Sequence, residues 1–155
     1  MSERNGREVV VRSFTSTIVG RSQKLVNEVA IGFGGSKVHV PALWDTGATN
    51  TCIAQEIADA MGLESAGVMT MKTPSGMLEV PVYRIDLLLP NNVGISDLHV
   101  CGSEIGKQEI GVLVGMDVIT FGDFAVSFHD GLTRFTFRVP SIEHADFAGV
   151  SQPSP

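Results

Sequence analysis

Asp45 is the side chain of this sequence best placed to do chemistry. It closes the apolar run Ala42-Leu43-Trp44 and is followed by Thr46-Gly47-Ala48-Thr49. Side chains alternate along an extended chain, so Leu43 and Asp45 share one face while Trp44 turns to the other, which predicts Trp44 as packed core. A carboxylate at a strand end beside an apolar wall suits proton transfer. A lone charge is costly to bury, however, so Asp45 asks for a partner. Gly47 and Ala48 keep the turn small enough for another backbone to approach closely, and Thr46 offers a hydroxyl for a tight contact. No second Asp-Thr-Gly or Asp-Ser-Gly, and no internal repeat, supplies another acid in a matching setting.

The elements that must position Asp45 are mostly strands. Val9-Val10-Val11 and Phe14 to Val19 read as extended. Leu25 to Phe33 and Lys37 to Trp44, joined by Gly34-Gly35, predict a β-hairpin that runs into the Asp45 loop. Ile53, Ile57, Ala60 and Met61 recur at helical spacing and Gly62 is placed to stop them, which predicts one short helix over 53–61. From Val68 to Leu89 the pattern is strand-like and broken by Thr73-Pro74-Ser75-Gly76, a tight-turn sequence, so a long hairpin is expected there. Pro81 and Pro90 fit strand edges or ends. Val93 to Cys101 reads as a strand, Gly102 to Gln108 as a loop, and Ile110 to Val114 as a buried strand ending at Gly115. Asp117 is expected to cap a helical turn over 118–121 that Gly122 stops, and that local role makes a catalytic one unnecessary. Phe124 to Phe128 and Leu132 to Val139 flank His129-Asp130-Gly131, a further hairpin signal.

Taken together, Leu43-Trp44-Asp45-Thr46-Gly47-Ala48, the downstream Leu113-Val114-Gly115 and the Gly76-tipped hairpin between them resemble the retroviral-type, or retropepsin-like, aspartic peptidases, including bacterial relatives. The resemblance spans about Leu25 to Pro140. It implies an all-β closed barrel with a hairpin flap and one or two short helices, active as a symmetric homodimer. It also implies that Asp45 is the catalytic carboxylate, Thr46 the interlocking hydroxyl at the dimer contact, and Leu113-Val114-Gly115 the segment threading behind Gly47 and its loop. Substrate contacts are expected from Leu43, Ala48 and Thr49 and from the flap residues Thr73, Pro74, Ser75, Gly76 and Met77, with Met71 and Leu78 adding adaptable apolar surface. Hydrolysis by an activated water needs one carboxylate to take a proton while another gives one, so a single Asp45 implies two copies of the chain about a two-fold axis. The substrate class is peptide or protein, and paired acids need no cofactor or metal.

Composition sets the remaining bounds. With 155 residues the chain predicts one domain, divided as an N-terminal flexible arm over 1–13, a peptidase domain over 14–140 and a flexible tail over 141–155. The net charge of −6 is unevenly spread: residues 1–40 carry six basic and three acidic side chains, the remainder five and fourteen. An acidic body argues against nucleic acid as the main partner. Neither a membrane-spanning run nor a signal-peptide pattern is seen, which predicts a cytoplasmic protein without a membrane partner. Cys52 and Cys101 fit no metal spacing and are expected to be small buried hydrophobes without a disulfide, and the four scattered histidines suggest no metal site.

Two departures from the retroviral pattern bear on function. Thr49 and Asn50 stand where an acid usually follows the Ala, and Met116 stands where an Arg usually follows the downstream Gly, so both members of an ion pair are missing together. Ala48 replaces the Ser of pepsin-like enzymes and removes a hydroxyl donor to the carboxylates, which predicts activity in mildly acid to near-neutral conditions. A reading from a different class is a non-catalytic homodimeric peptide-binding or dimerisation module with the same fold. A third is a β-rich domain in which Asp45 only organises a turn.

Overall fold

The computed structural model describes residues 3–4 and 7–149 of the chain, with side chains from residue 9 onward. The ends of the expected arm and tail, residues 1–2 and 150–155, lie outside the described residues, as do 5–6. Two short strands, β1 (Glu3–Arg4) and β2 (Arg7–Glu8), pair with each other, and β3 (Arg12–Val19) follows. Next come β4 (Leu25–Phe33), β5 (Ser36–Trp44), β6 (Cys52–Ala54) and helix α1 (Gln55–Ala60). The long hairpin is β7 (Gly67–Thr73) with β8 (Gly76–Leu89), and β9 (Val93–Ser103) pairs back on it. A 3-10 turn over Ile105–Gln108 leads to β10 (Val112–Val114), α2 (Met116–Ile119), β11 (Asp123–His129) and β12 (Leu132–Val139).

The main sheet runs β4-β5-β10-β6-β9-β8-β7, and a further pairing of β4 with β8 through Ala30↔Leu88, Ile31↔Leu87 and Gly32↔Asp86 closes it into a barrel. Closure removes the exposed edges of six strands and leaves β7 as an appendage that, among the described residues, pairs only with β8. The all-β closed barrel with a hairpin and two short helices is therefore the fold. The barrel interior is filled by inward-facing apolar side chains, among them Ile31, Ile53, Leu87, Val112 and Val118, all fully buried. No helix among the described residues is long and apolar enough to cross a membrane.

Turn chemistry fixes the registers. Gly34 and Gly35 between β4 and β5 have φ of +54° and +82°, and Asp130 and Gly131 between β11 and β12 have +50° and +75°. Consecutive positive φ values match the strand twist of a two-residue hairpin. Gly62 also has a positive φ, with its N–H on Asp59 O and the Leu63 N–H on Ala58 O, so it ends α1 as expected.

The helix itself is shorter than the sequence predicts. Ile53 has helical spacing to Ile57, but Cys52, Ile53 and Ala54 are extended because β10 and β9 recruit them on either side. Backbone pairing to two neighbours outweighs a weak helical propensity.

A second layer, ordered β11-β12-β3, covers one side of the barrel. Its inward aromatic residues Phe14, Phe124, Phe135 and Phe137 pack around Trp44, which stacks on Phe124 at 5.4 Å between centroids and 7° between planes. Trp44 is thus core, as alternation predicts, and its buried Nε1 donates to Asn27 Oδ1 at 2.8 Å. Trp44 is the last residue of β5, so this cluster anchors the strand that presents Asp45.

The chain after β12 is fastened at its start. Asp123 accepts hydrogen bonds from Ser141 Oγ, from the Ile142 N–H at 2.8 Å and from Arg138 Nε at 2.7 Å. Those bonds, the Ser141 hydroxyl first, hold the Asp123 carboxyl well below the usual carboxylate range. A depressed folded-state value means the contribution is complete above the ordinary carboxylate value of about 4 and fades as pH falls below it. Accordingly, Asp123→Ala is expected to remove at neutral pH the amide-exchange protection of Ile142 and Glu143 that the wild type loses only in strong acid. Unchanged exchange there would show that the segment is held by something else.

Candidate active site

The Asp45 loop is built by threading one strand between its two flanks. β5 leads into the loop and β6 leaves it, and β10 inserts between them, parallel to β5 with Leu113↔Leu43 and Val114↔Trp44 and antiparallel to β6 with Leu113↔Cys52. Leu113-Val114-Gly115 therefore run directly beside the turn that carries Asp45. The Asp45 N–H donates to Val114 O at 2.9 Å, and beyond Gly115 the Met116 N–H reaches Ala48 O at 2.8 Å and the Asp117 N–H reaches Thr49 O at 3.2 Å. A Cβ on Gly115 would lie 2.8 Å from the Asn50 carbonyl carbon and 2.9 Å from Ala48 O. Backbone on both sides leaves no room for a side chain, so glycine is required there for close approach.

Within the turn, the Gly47 N–H donates to Asp45 Oδ1 at 2.8 Å and the Ala48 N–H to Asp45 O at 3.2 Å. The carboxylate is half-buried, whereas Thr46, Gly47 and Thr49 are exposed on the outer side of the loop. Asp45 borders an open groove of about 380 Å³ whose walls include Lys24, Leu43, Thr46, Phe124 and Val126, and it is the sole carboxylate among them.

Sequence reasoning did not single out the residue that fixes this loop. Thr51 is fully buried, and its hydroxyl donates to Asp117 Oδ1 at 2.7 Å while accepting the Gly115 N–H at 3.0 Å. Its own N–H donates to Asp117 Oδ2 at 3.0 Å, and its carbonyl accepts the Cys101 N–H at 3.1 Å. One threonine thus ties the end of the Asp45 loop to Gly115, to α2 and to β9. Asp117 does not stand before a helix over 118–121 as predicted. Gly115 is the residue before α2, and the Asp117 carboxylate is spent mainly on Thr51, with the Val118 N–H on Oδ1 at 2.9 Å. Asp117 is an anchor of the loop, which agrees with denying it a catalytic role. No local pattern marks Thr51, because its partners lie fifty or more positions away.

The expected substrate residues fall in two groups. Leu43 joins Asp45 at the groove, and Leu43 and Leu113 also pack on a second apolar cluster with Met69 and Met71 from the hairpin. Thr73, Pro74, Ser75 and Gly76 form the hairpin tip, where Thr73 Oγ1 donates to Gly76 O at 2.9 Å, and in the single chain they do not line the Asp45 groove. Cross-strand partners share a face, so Leu78 shares the face of Met71, which packs on the barrel, although Leu78 itself is 54% exposed; Met77, opposite Lys72, lies on the other face and is 69% exposed. Ala48 and Thr49 flank the carboxylate and give their carbonyls to the strand-to-helix junction.

Among solved structures, a retropepsin-like aspartic protease from Rickettsia conorii shares the fold, with a TM-score of 0.56 and 12% identity over 86% of this chain and 98% of that one. The Simian Foamy Virus (mac) protease aligns with a TM-score of 0.43 and 24% identity over 63% of this chain and 91% of its own. No curated protein sequence matches the chain. Residues 29–120, which hold the Asp45 loop, the flap hairpin and the Leu113-Val114-Gly115 thread, match the family described as "gag-polyprotein putative aspartyl protease". The chain belongs to this aspartyl protease family.

Proposed function

We propose that the chain is an aspartic endopeptidase whose active form is a homodimer, with Asp45 of each copy contributing one of two catalytic carboxylates. One observation carries this reading: among the described residues Asp45 is the sole acid lining an open groove, and Asp117, the other acid beside its loop, has both carboxylate oxygens committed to Thr51. One carboxylate is chemically incomplete for peptide hydrolysis. Two within hydrogen-bond reach cannot both ionise cheaply, so they share a proton and titrate as a pair, for which aspartic proteases are the standard example. The ionised member takes a proton from a bound water as that water attacks the peptide carbonyl, and the protonated member donates to the carbonyl oxygen. Collapse of the tetrahedral intermediate then returns a proton to the departing amine.

One edge strand beside the groove would suit a second copy. β11 is an edge of its sheet, paired only with β12, and it presents Val126 and Phe128, each 46% exposed. An unpaired edge with exposed apolar side chains is a template for strand pairing. Val126 also lines the Asp45 groove, so association along β11 would bring Asp45 and the exposed Thr46 toward the two-fold axis. Substrate would bind extended between the Asp45 loop and the hairpin, partly as an added strand, with Met71 and Leu78 closing over it.

The test combines sedimentation with a peptide-library cleavage screen at the same concentrations. The expected outcome is cleavage that tracks the dimer fraction; active monomer would refute the shared site, and a dimer inert toward every peptide would favour a binding module. The pH–rate profile gives a further check. With Ala48 offering no hydroxyl to the carboxylates, the maximum is expected in mildly acid to near-neutral solution, and a strongly acid maximum would contradict that.

A further inference from the structure

Two thiols and a thioether meet beneath the flap hairpin, in a cluster that Leu43 shares with the Asp45 groove but whose cysteines do not line it. Cys52 of β6 and Cys101 of β9 are direct register partners on adjacent parallel strands, and both are buried free cysteines. Cys101 Sγ lies 2.8 Å from Met69 Sδ of β7, and Cys52 Sγ lies 3.7 Å from Asn50 O. Both side chains enter the same apolar cluster with Ala54, Val80, Ile105 and Ile110, so they leave their strands on one face. Neighbouring strands are about 4.8 Å apart, inside the range of about 4.4–6.8 Å between Cα atoms that a disulfide spans. Both are the small buried hydrophobes without a disulfide that the sequence predicts, and register also makes the pair bondable.

We propose that Cys52 and Cys101 form a modification site at which a small hydroperoxide generates an intrachain disulfide that reversibly suppresses the protein's activity. The thiolate of Cys101 attacks a peroxide oxygen, the O–O bond breaks, and the departing hydroxide takes up a proton, leaving a sulfenic acid. Cys52 then loses its proton and attacks that sulfur, the S–O bond breaks, and a second hydroxide leaves and is protonated. Two thiols and hydrogen peroxide become one disulfide and two waters. The order follows from the register of the pair: interaction with the neighbouring Cys52 thiol lowers the Cys101 thiol from its ordinary value, while the same interaction, together with burial, raises Cys52. Access requires no opening of the barrel. Met69 and Met71 cover the cluster from β7, and among the described residues β7 pairs only with β8, so a swing of the hairpin admits peroxide.

The link to activity runs through Thr51, the residue before Cys52. Drawing Cys52 toward β9 shifts the group that holds Gly115 and Asp117 against the Asp45 loop. This effect on cleavage rests on the peptidase reading, whereas the disulfide does not.

The experiment treats the full chain with hydrogen peroxide, unfolds and alkylates it, and reads intact mass, linked peptides and peptide cleavage. The expected product is an unalkylated monomer lighter by two hydrogens with a Cys52–Cys101 linked peptide. Cleavage should fall by about tenfold or more and return with dithiothreitol. Cys101→Ala should remove both the linked peptide and the reversible loss, and if that variant does not fold, the wild-type mass and its reversal decide alone. Separate oxyacids on the two cysteines, chain-to-chain cross-links, or two thiols still open to alkylation would overturn the site. A disulfide formed with cleavage undiminished would overturn the switch. A disulfide in a chain inert before treatment would overturn the switch through failure of the peptidase reading, leaving the dithiol itself established.

Discussion

Asp45→Asn is expected to lower peptide cleavage by at least about a thousandfold, the scale of losing a positioned general acid–base group, while leaving folding and association in place. The amide can neither accept a proton from water nor give one to the carbonyl oxygen, so a dimer of the variant lacks both acids. The fold should tolerate the change because an Asn oxygen still accepts the Gly47 N–H that Asp45 Oδ1 holds at 2.8 Å, and the Asp45 backbone bonds to Val114 and Ala48 do not involve the side chain. A mixing experiment sharpens the result. If wild type and variant exchange subunits freely in equal amounts, random pairing leaves about a quarter of the dimers with two aspartates, and activity should drop to that fraction of its value when all subunits are wild type. Activity remaining at half would show that each chain works alone.

Thr51→Val is expected to have the second largest effect, this time on stability. The substitution keeps the volume but removes the hydroxyl that donates to Asp117 and accepts from Gly115. It leaves a part-buried carboxylate short of a donor and a buried N–H without an acceptor, a loss of about 2–4 kcal/mol and a fall in Tm on the order of 10 °C. Thr51→Ser retains the hydroxyl and should recover most of it. Thermal unfolding of the wild type and the two variants side by side checks both statements. Equal Tm values for the wild type and the Thr51→Val variant would mean that the hydrogen-bond chain contributes nothing net. Cleavage by Thr51→Val should fall more than its folded fraction, since the same bonds hold the Asp45 loop against β10.

Much of this architecture could be read from local sequence because local chemistry decides it. Gly34-Gly35 and Asp130-Gly131 adopt the backbone angles that tight hairpins need, Gly62 ends a helix, and Trp44 alternates away from Asp45 into an aromatic core. Gly115 was legible through the resemblance, and the Cβ clash with Asn50 and Ala48 supplies its physical reason. What escaped was set by partners distant in the chain. Cys52-Ile53-Ala54 carries a helical period yet is extended because β9 and β10 claim its backbone. Asp117 looked like a helix cap because Val118 follows it, and only the folded chain brings Thr51 to it. Closure of the barrel through β4 and β8, and the pairing of β3 with β12, likewise join segments with no sequence signal for each other. The adjacency of Cys52 and Cys101 belongs to the same class.

These observations share one dependence, that an isolated Asp45 acquires a twin by symmetry. The most direct measurement is the separation of the two Asp45 carboxyl groups in a crystal of the assembled protein holding an extended peptide analogue. A shared site requires oxygens within hydrogen-bond reach, about 2.6–3.2 Å, on either side of a two-fold axis. Carboxyl groups far apart, each facing solvent, would contradict it.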